Sequence, residues 1–442
     1  MPSFYVQNFG CRATQADGAA IERQFEEQGL ARAGSSEDAQ VVVLNTCTVT
    51  ASADQDARAA IRRIHRHNPD CQIVVTGCYA QRAPAEIAAL PGVSQVIGNS
   101  HKHRLAEIAR PNFVSLSALE TGNSKLETNI FVSDIFAHTE LLAAPVFEAA
   151  NQRTRPNLKV QDGCDNRCSF CVIPSVRGQS RSLPMAEILR EVNALVAAGY
   201  REVVISGINL GRWGRDFHPQ QRFEDIVRTI LRETDLEKLR VSSVEPMDWS
   251  GELIDLFAGN KRIARHAHVP MQSGSDAVLR RMHRKYRPWH YREKIENIRA
   301  AIPEAAIGAD VMTGFPGETD AEFEQTRRMV EDLPFTYLHV FTYSARPGTP
   351  AAEMRNQVPV GIARERNRIL RDLSEQKKLA FMGSFVGKAL DAITLHKAGG
   401  NHTEALTDNY LKLRLEGAYA PNRWMASTIQ KVEDGYLVGS RV

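Results

Sequence analysis

Between residues 157 and 343 the sequence alternates short apolar runs with longer amphipathic stretches. The runs have the length of buried strands and lie at 157–162, 202–208, 238–245, 267–271, 307–315 and 337–343. Helical stretches between them include 184–198, 223–233 and 320–332. Such alternation predicts parallel strands covered by helices. Six units are too few for a closed eight-stranded barrel, so we expect a partial (βα)6 barrel within a core domain at 151–382.

Three cysteines follow the first of these strands, in the segment GCDNRCSFCVIP. Cys164, Cys168 and Cys171 therefore lie where active sites of such barrels form, at a strand carboxyl end. A structural zinc ion takes four ligands, and the first histidine after them is the distant His218. The spacing favours a metal cluster that keeps one coordination position open, with a zinc site as the alternative.

A second strand–helix alternation occupies the first hundred residues and predicts an N-terminal domain at 1–110 with a doubly wound parallel sheet. Its strands are expected at 3–11, 40–47, 72–78 and 93–99, with helices at 15–28 and 53–67. Three strands end on a cysteine, at Cys11, Cys47 and Cys78. Because carboxyl ends of parallel strands share one edge, the thiols should converge on a metal site, although burial as small apolar residues is an alternative. Cys71 precedes a strand, and we interpret it as such a buried residue.

Two further segments complete the chain. Residues 111–150 lack periodicity and are interpreted as a connector. Residues 383–442 carry short strands and turns, which predict a small β-barrel.

Bulk composition agrees with several domains and excludes some function classes. A chain of 442 residues is too long for one ordinary domain. It has no apolar run of about 18 residues and no signal-like start, so we expect a cytoplasmic protein without membrane contact. Thiols stay reduced there, which favours metal ligands over disulfides. The net charge of +3 predicts neither DNA nor RNA binding by itself.

The cysteine contexts NFGCRATQAD, LNTCTVTASAD and TGCYAQRAP, the core GCDNRCSFC, and HVPMQSGS, GFPGET and YSARPGTPAA together resemble the radical S-adenosylmethionine methylthiotransferase family. The resemblance covers nearly the whole chain. It implies two 4Fe-4S clusters, a radical-generating one on Cys164, Cys168 and Cys171 and an auxiliary one on the N-terminal triplet. It also implies that the C-terminal barrel is an RNA-binding TRAM domain.

The resemblance further implies two uses of S-adenosylmethionine: methylation of a sulfur on the auxiliary cluster, and cleavage to a 5′-deoxyadenosyl radical that opens a C–H bond to that sulfur. Loops at later strand ends are the expected contacts of this cofactor. The residues expected to bind it are Gly207, Asn209, Glu245, Gln272 and Ser273.

Family members act on modified adenosines of tRNA or on an aspartate of a ribosomal protein. The stretch LHVFTYSARPGTPAAEM is most similar to the branch that acts on threonylcarbamoyladenosine 37 in the tRNA anticodon stem-loop. Isopentenyladenosine tRNA and the ribosomal protein are alternative substrates, and a non-catalytic cluster or zinc RNA-binding protein is an alternative class. Arg12, Ala13 and Thr14 depart from the family's motif after the first cysteine. An electron donor and a sulfur source are further implied partners.

Basic stretches offer modest support for an RNA partner. Residues 280–294 combine seven Lys or Arg with two Tyr and a Trp, which suits phosphate contacts and base stacking; a solvated helix face is the alternative. Residues 61–67 form a second basic stretch with the same two interpretations, an RNA contact or a solvated helix face. Polar residues near the expected site loops are Arg153, Arg155, Arg177, Arg181 and Tyr343.

Overall fold

The computed structural model describes residues 2–109, 128–138, 141, 154–399 and 402–442. The N-terminal strands are β1 (Ser3–Asn8), β2 (Ala31–Arg32), β3 (Val41–Thr46), β4 (Gln72–Gly77), β5 (Val93–Gly98) and β6 (Asn129–Phe131). The helices among them are α1 (Arg12–Glu27), α2 (Ala51–His67), α3 (Cys78–Arg82), α4 (Pro84–Ala88) and α5 (Leu105–Ile108). Every predicted strand and both predicted helices of this region are present, each within a few residues of its expected bounds.

The six strands form one parallel sheet in the order β2-β1-β3-β4-β5-β6. The chain leaves β1 toward one edge through β2 and returns to β3 on the other side, so β1 and β3 flank the topological switch point where ligands bind in such sheets. Separate apolar cores cover the two faces, one built with α2 and one with α1. The doubly wound sheet is therefore confirmed.

Strand β6 lies within the segment that we interpreted as a connector. It pairs in parallel with β5 from Gln95 to Ile97 and extends the sheet by one strand. The segment is short and its side chains are half-exposed or exposed, which explains why no periodicity revealed it. Most of the remaining connector lies outside the described residues.

The central domain contains β7 (Asn157–Asp162), β8 (Arg181–Ser182), β9 (Glu202–Gly207), β10 (Lys238–Val241), β11 (His266–His268), β12 (Ala306–Thr313) and β13 (Tyr337–Thr342). Its helices are α6 (Ile173–Arg177), α7 (Met185–Ala197), α8 (Phe223–Glu233), α9 (Gly251–Gly259), α10 (Asp276–Arg281), α11 (Pro288–Ala301), α12 (Asp320–Asp332), α13 (Pro350–Glu353) and α14 (Val360–Gly383). Short 3₁₀ segments lie at Asn99–Arg104, Ile135–Ala137, Leu210–Arg212 and Pro246–Asp248.

Six of these strands run parallel in chain order, β7-β9-β10 and β11-β12-β13, and single bridges such as Ser243 to His268 join the two groups. The short β8 pairs antiparallel with β7 at one edge, and β13 is the other edge. One large apolar core packs the outer helices on the strands. The predicted partial (βα)6 barrel is thus confirmed.

The C-terminal strands are β14 (Ala389–Gly399), β15 (His402–Thr407), β16 (Lys412–Glu416), β17 (Trp424–Glu433) and β18 (Tyr436–Arg441). They close into a five-stranded barrel in the order β14-β15-β16-β18-β17 around its own apolar core. This confirms the predicted small barrel. None of the helices in the described ranges has the length and apolarity that a membrane crossing requires.

A buried ion cluster fastens the N-terminal domain to the end of the central barrel. Asp54 of α2 accepts a hydrogen bond from Arg82 at 3.0 Å and another from Arg346, which follows β13. Arg346 also donates to the Thr48 hydroxyl at 2.8 Å. Since Thr48 directly follows Cys47, this cluster positions the loop that carries a predicted ligand.

Candidate metal centres

The loop after β7 brings Cys164, Cys168 and Cys171 together at the carboxyl end of the barrel strands. It turns at Gly163, whose φ is +72°, and a Cβ at this position would lie 1.8 Å from the Gln179 carbonyl oxygen. Only glycine fits there. The N–H of Cys171 donates to the carbonyl of Cys168 at 3.1 Å, which tightens the loop.

Each sulfur of this triplet has an N–H donor within reach. The donors are Asn209 Nδ2 at 3.5 Å from Cys164 Sγ, Arg284 Nη1 at 3.3 Å from Cys168 Sγ, and the Ile173 backbone N at 3.4 Å from Cys171 Sγ. Hydrogen bonds of this kind stabilise thiolate ligands of iron–sulfur clusters and tune their potential. Burial raises the pKa of Cys171 to about 12, so that metal binding must displace its proton. The donor set fits a cluster held by three thiolates.

The placement of possible ligands for a single metal ion is a further feature of the molecule. Among the residues that the structure describes, no three His, Cys, Asp or Glu side chains are placed to hold a single metal ion. A structural zinc ion takes four such ligands around one atom, whereas in a cuboidal cluster each cysteine binds a different iron.

Two of the residues expected to bind S-adenosylmethionine lie beside this triplet. Asn209 contacts Cys164, and its Oδ1 is buried without a partner. Glu245 pairs with Arg284, which itself contacts Cys168. A buried acceptor without a donor costs free energy, so the Asn209 amide is placed to receive a ligand N–H.

The other three expected residues have different surroundings. Gly207 packs on Gln161, where a Cβ would lie 2.8 Å from Oε1. Gln272 has an unpartnered buried Oε1 and a φ of +62°, a backbone conformation that side chains rarely adopt and that is typical of ligand sites. The Ser273 hydroxyl is already used, since it lies 3.1 Å from the Thr326 hydroxyl and accepts the Ser275 N–H. These two contacts hold the Ser273 hydroxyl in place next to Gln272.

Sequence reasoning missed Arg284 as part of this site. It lies in the basic stretch 280–294, which we interpreted as an RNA-binding surface. The structure contradicts much of that interpretation because Tyr286 and Tyr291 are fully buried and offer no stacking planes. Four of its basic residues instead make ion pairs: Arg280 and Arg287 with Asp276, Arg281 with Glu322, and Arg292 with Asp332. Of the three aromatic residues Tyr286, Trp289 and Tyr291, only Trp289 is exposed to solvent, with an exposed fraction of 57%.

The N-terminal cysteines also converge, around the switch point of the sheet. Cys47 lies against the chain before Cys11, since a Cβ on Gly10 would come within 2.9 Å of its sulfur. Burial, together with the neighbouring thiols of Cys78 and Cys11, raises the pKa of Cys47 to about 11. Asn99 Nδ2 lies 3.6 Å from Cys78 Sγ. Cys11 and Cys78 thus both lie near Cys47, at the strand ends where the topology predicts them.

This second triplet adjoins the first through an apolar contact. Cys78 packs with Val172 and Val176, on the segment that directly follows Cys171. The Asn99 amide, which reaches Cys78, also donates to the Val176 carbonyl at 2.7 Å. The N-terminal triplet therefore lies beside the barrel loop that carries the other three cysteines.

A buried charge network lies under both triplets. Its contacts are Lys102 Nζ to Asp17 at 3.0 Å, Lys159 Nζ to Asp17, Lys159 Nζ to Asp162 at 2.9 Å, Arg177 Nη1 to Asp162 at 2.9 Å and Arg177 Nη2 to Asp17 at 2.8 Å. Burial alone would raise the pKa of Asp17, yet the surrounding cations hold it well below its usual value. Three cations face two carboxylates, and the charge of Arg177 lowers the pKa of Cys47 against the effect of burial. The excess positive charge favours thiolates in the N-terminal triplet.

The remaining candidates are distributed as follows. Cys71 is buried among apolar residues on one face of the sheet, away from the triplets, which agrees with its interpretation as a small apolar residue. Arg181 donates to the carbonyls of His138 and Arg177. Tyr343 packs on Phe315 and buries an unpartnered hydroxyl. Arg153 lies outside the described residues.

Family models match the two sequence regions that carry the triplets. Residues 158–330 match the Radical SAM superfamily, and residues 3–98 match a family described as Uncharacterized protein family UPF0004.

Curated relatives align over most of the chain. The threonylcarbamoyladenosine tRNA methylthiotransferase MtaB of Bacillus subtilis is 36% identical over 94% of this chain and 91% of its own length. The MtaB of Rickettsia prowazekii is 34% identical over 98% and 96%. The tRNA-2-methylthio-N(6)-dimethylallyladenosine synthase of Novosphingobium aromaticivorans is 35% identical over 88% and 86%.

Solved structures share the fold at low identity. The radical S-adenosylmethionine methyltransferase TsrM of Kitasatospora setae superposes with a TM-score of 0.57, at 16% identity, over 79% of this chain and 75% of that chain. The cobalamin-dependent S-adenosylmethionine radical enzyme OxsB gives 0.51 at 12% identity over 85% and 56%. At these identities the two structures show the fold alone.

The backbone before Cys78 provides a test of how tightly the N-terminal site is built. Gly77 has a φ of +98°, and a Cβ there would lie 2.3 Å from the Thr46 carbonyl oxygen. Gly29, in the same domain, has a φ of +80° with nothing within 4 Å of its Cβ position. We expect Gly29→Ala to lower the free energy of unfolding by about 1 kcal/mol through backbone strain alone. Gly77→Ala should cost about 3 kcal/mol or more, because the backbone of β3 must also shift.

Urea unfolding of the two apoproteins measures the difference. Equal midpoints for Gly77→Ala and Gly29→Ala would contradict the close approach of β4 to β3 at this residue.

Proposed function

The chain belongs to the radical S-adenosylmethionine methylthiotransferase family, and from this premise we propose that it adds a methylthio group to carbon 2 of threonylcarbamoyladenosine 37 in tRNA. The observation that carries the proposal is that the two cysteine triplets lie near each other, since Cys78 packs on Val172 and Val176, directly after Cys171. A radical enzyme needs one such triplet. A second one nearby suits a reaction that also inserts sulfur.

The residues divide the chemistry between the two sites. Cys164, Cys168 and Cys171 would hold a 4Fe-4S cluster, and when bound this cluster would supply the electron for reductive cleavage of S-adenosylmethionine. Asn209 and Gln272 offer buried acceptors for the polar groups of that cofactor. Arg284 holds Glu245 and contacts Cys168, which keeps a positive charge beside the ligand sulfur.

Cys11, Cys47 and Cys78 are proposed to hold the auxiliary cluster that carries the sulfur. Gly10 and Gly77 allow the loops to approach closely, and Arg177 contributes a buried positive charge. Two of the three thiols are buried while Cys11 is exposed, so the site has one open side. A reductant and a sulfur source must reach it from outside the chain.

The choice of substrate rests on the segment 338–352 and on the MtaB relatives. Relatives named for the two adenosine derivatives match at nearly the same identity, 36% and 35%, so overall similarity does not separate them. Within the segment, Ser344 accepts the Ala51 N–H at 3.2 Å and Arg346 pairs with Asp54. Its role in the fold is to join the barrel to the loop after Cys47, beside the proposed sulfur-carrying site.

We expect the anaerobically reconstituted protein to bind about eight irons, because two 4Fe-4S clusters form. Replacing Cys11, Cys47 and Cys78 with Ala should leave about four irons and retain 5′-deoxyadenosine formation. Cys168→Ala should abolish that formation while the auxiliary cluster still assembles. Iron analysis and product quantification measure both.

Cys71→Ala is the matched control, since this thiol is buried outside both triplets; it should keep about eight irons. About four irons in the wild type, with all six ligands intact, would refute the second cluster.

The substrate is tested by nucleoside mass spectrometry of tRNA. In a strain that lacks the gene, methylthio-threonylcarbamoyladenosine should disappear while methylthio-isopentenyladenosine persists. The wild type and Cys71→Ala should restore it, and Cys168→Ala should not. Loss of the isopentenyl product instead would assign the chain to the other branch.

A further inference from the structure

A cavity of about 480 Å³ lies where the three domains meet. Its walls come from the first turn of α1, the residues that lead into β7, and strands β15 and β16 of the C-terminal barrel. Arg12 lies on its wall and directly follows Cys11. The volume is in the range that accommodates small ligands or parts of larger ones.

Three guanidinium groups converge on one tyrosine of this wall. The ring centroid of Tyr410 lies 5.4 Å from Cζ of Arg240 and 6.0 Å from Cζ of Arg155. Its hydroxyl accepts a hydrogen bond of 3.5 Å from Arg12 Nη2. The ring also stacks on His266 at 4.4 Å, and its φ of +66° shows that the turn is held there against backbone preference.

The charges in this region do not balance. Of the residues that the structure describes, Glu202 is the one carboxylate that these arginines contact, at 2.6 Å from Arg240 Nε and 3.5 Å from Arg155 Nη1. Burial and the nearby cations hold the pKa of His266 well below its usual value, so that this ring is neutral.

Other charged groups nearby do not offset the excess. Lys412 and Glu404 on the facing barrel wall carry opposite charges and add no net charge to the cavity. Asp408 is already paired with Lys238 at 3.2 Å and with Arg265 at 3.5 Å. Within the described part of the chain, three guanidiniums therefore share the single carboxylate of Glu202, which leaves two positive charges in excess.

Arg12 and Arg155 also have unused hydrogen-bonding capacity. A guanidinium carries five N–H donors, yet within the described part of the chain each of the two makes a single side-chain hydrogen bond, of 3.5 Å. Burial and the charges of Arg240 and Arg12 lower the pKa of Arg155, while Glu202 opposes this shift. Both side chains are half-buried, and removing cations from water is costly unless enough negative charge completes the site. Paired guanidiniums are well suited to carboxylate or phosphate oxygens.

We propose that Arg12 and Arg155, in the cavity between the three domains, bind an oxyanion of the tRNA substrate. This inference rests on the proposed function and extends it to substrate recognition. The tRNA offers two such groups: the carboxylate of the threonylcarbamoyl substituent and a backbone phosphate near the modified base. Arg12 is the first of the residues that depart from the family's motif after Cys11, and the site gives this departure a physical role.

The test measures binding of three anticodon stem-loops: threonylcarbamoyl-modified, isopentenyl-modified and unmodified. Arg12→Gln and Arg155→Gln should each weaken binding about tenfold, the loss typical of a charge-assisted hydrogen bond. A loss confined to the threonylcarbamoyl stem-loop identifies the carboxylate. If all three stem-loops lose a similar amount of affinity, and the slope of log Kd against the logarithm of the salt concentration falls by about one, the bound group is a phosphate.

Two variants serve as comparisons. Arg12→Lys keeps the charge without the two-pronged donor and should give an intermediate loss. Arg328→Gln removes one exposed charge from the outer helix α12 and should bind every stem-loop as the wild type does.

Binding of inorganic phosphate tests the anion site without tRNA. Inorganic phosphate should raise the thermal unfolding temperature of the wild type and of Arg328→Gln more than that of Arg12→Gln or Arg155→Gln, because it binds only the intact site. If the wild type binds no stem-loop yet phosphate shows this pattern, the tRNA function fails and the anion site stands. If both glutamine variants match the wild type in stem-loop binding and in phosphate response, the anion site is refuted while the proposed function is untouched.

Discussion

The contact of Asp17 with Lys159 and Arg177 is the interaction on which the rest of the architecture depends. Asp17 belongs to the N-terminal sheet domain, and both cations belong to the barrel. All three side chains are buried, so separating the domains would leave charges unpaired in the protein interior, at a cost of about 3–5 kcal/mol for each broken pair. The position of the two domains is therefore specified by charge as well as by shape. The proposed chemistry needs the two domains in fixed positions, because the sites at the two cysteine triplets must act on the same substrate at short range.

A second buried ion pair keeps the N-terminal domain from rotating about the first pair. Asp54 holds Arg346 on the loop after β13, while Asp17 holds Lys159 on β7. These strands are the two ends of the parallel series in the partial barrel. The N-terminal domain thus bridges the side on which the strand series is open. An incomplete barrel gives access to a large substrate, and here the bridging domain occupies that access with its own cysteines.

Periodicity was sufficient to predict the fold, and spacing with topology was sufficient to predict which cysteines lie near one another. Strands such as Asn157–Asp162 and helices such as Phe223–Glu233 have the bounds that their apolar patterns indicate. The switch-point rule brought Cys11 and Cys47 together although 36 positions separate them in the sequence. These features depend on local patterns or on topology, which a single sequence contains.

The partners of the buried charges could not be predicted in this way. Lys159 lies in an apolar strand and pairs with Asp17, 142 positions away, and no local pattern indicates such a pair. Arg284 was hidden among six other basic residues, and composition made that stretch resemble an RNA-binding surface. Burial distinguishes Arg284 from the other basic residues of this stretch. Arg284 is 7% exposed and contacts Cys168, whereas residues such as Arg280 form surface ion pairs. Total charge along a segment therefore says little about function until the environment of each charge is known.

The residues that select the substrate differ from those that carry out the common chemistry. The two triplets, the glycines that let their loops approach and the pairs that join the domains serve the common chemistry, so they carry no information on the substituent of the adenosine. Discrimination must come from residues that reach the substrate without holding metal. A threonylcarbamoyl group differs from an isopentenyl group above all in its carboxylate, and a buried polar difference of this kind is the easiest for a protein to recognise. Arg12 lies one residue from a proposed ligand, with a charge that no described carboxylate neutralises. Position and charge together make this residue, rather than the cysteines, the place where a preference for an anionic substituent would be built.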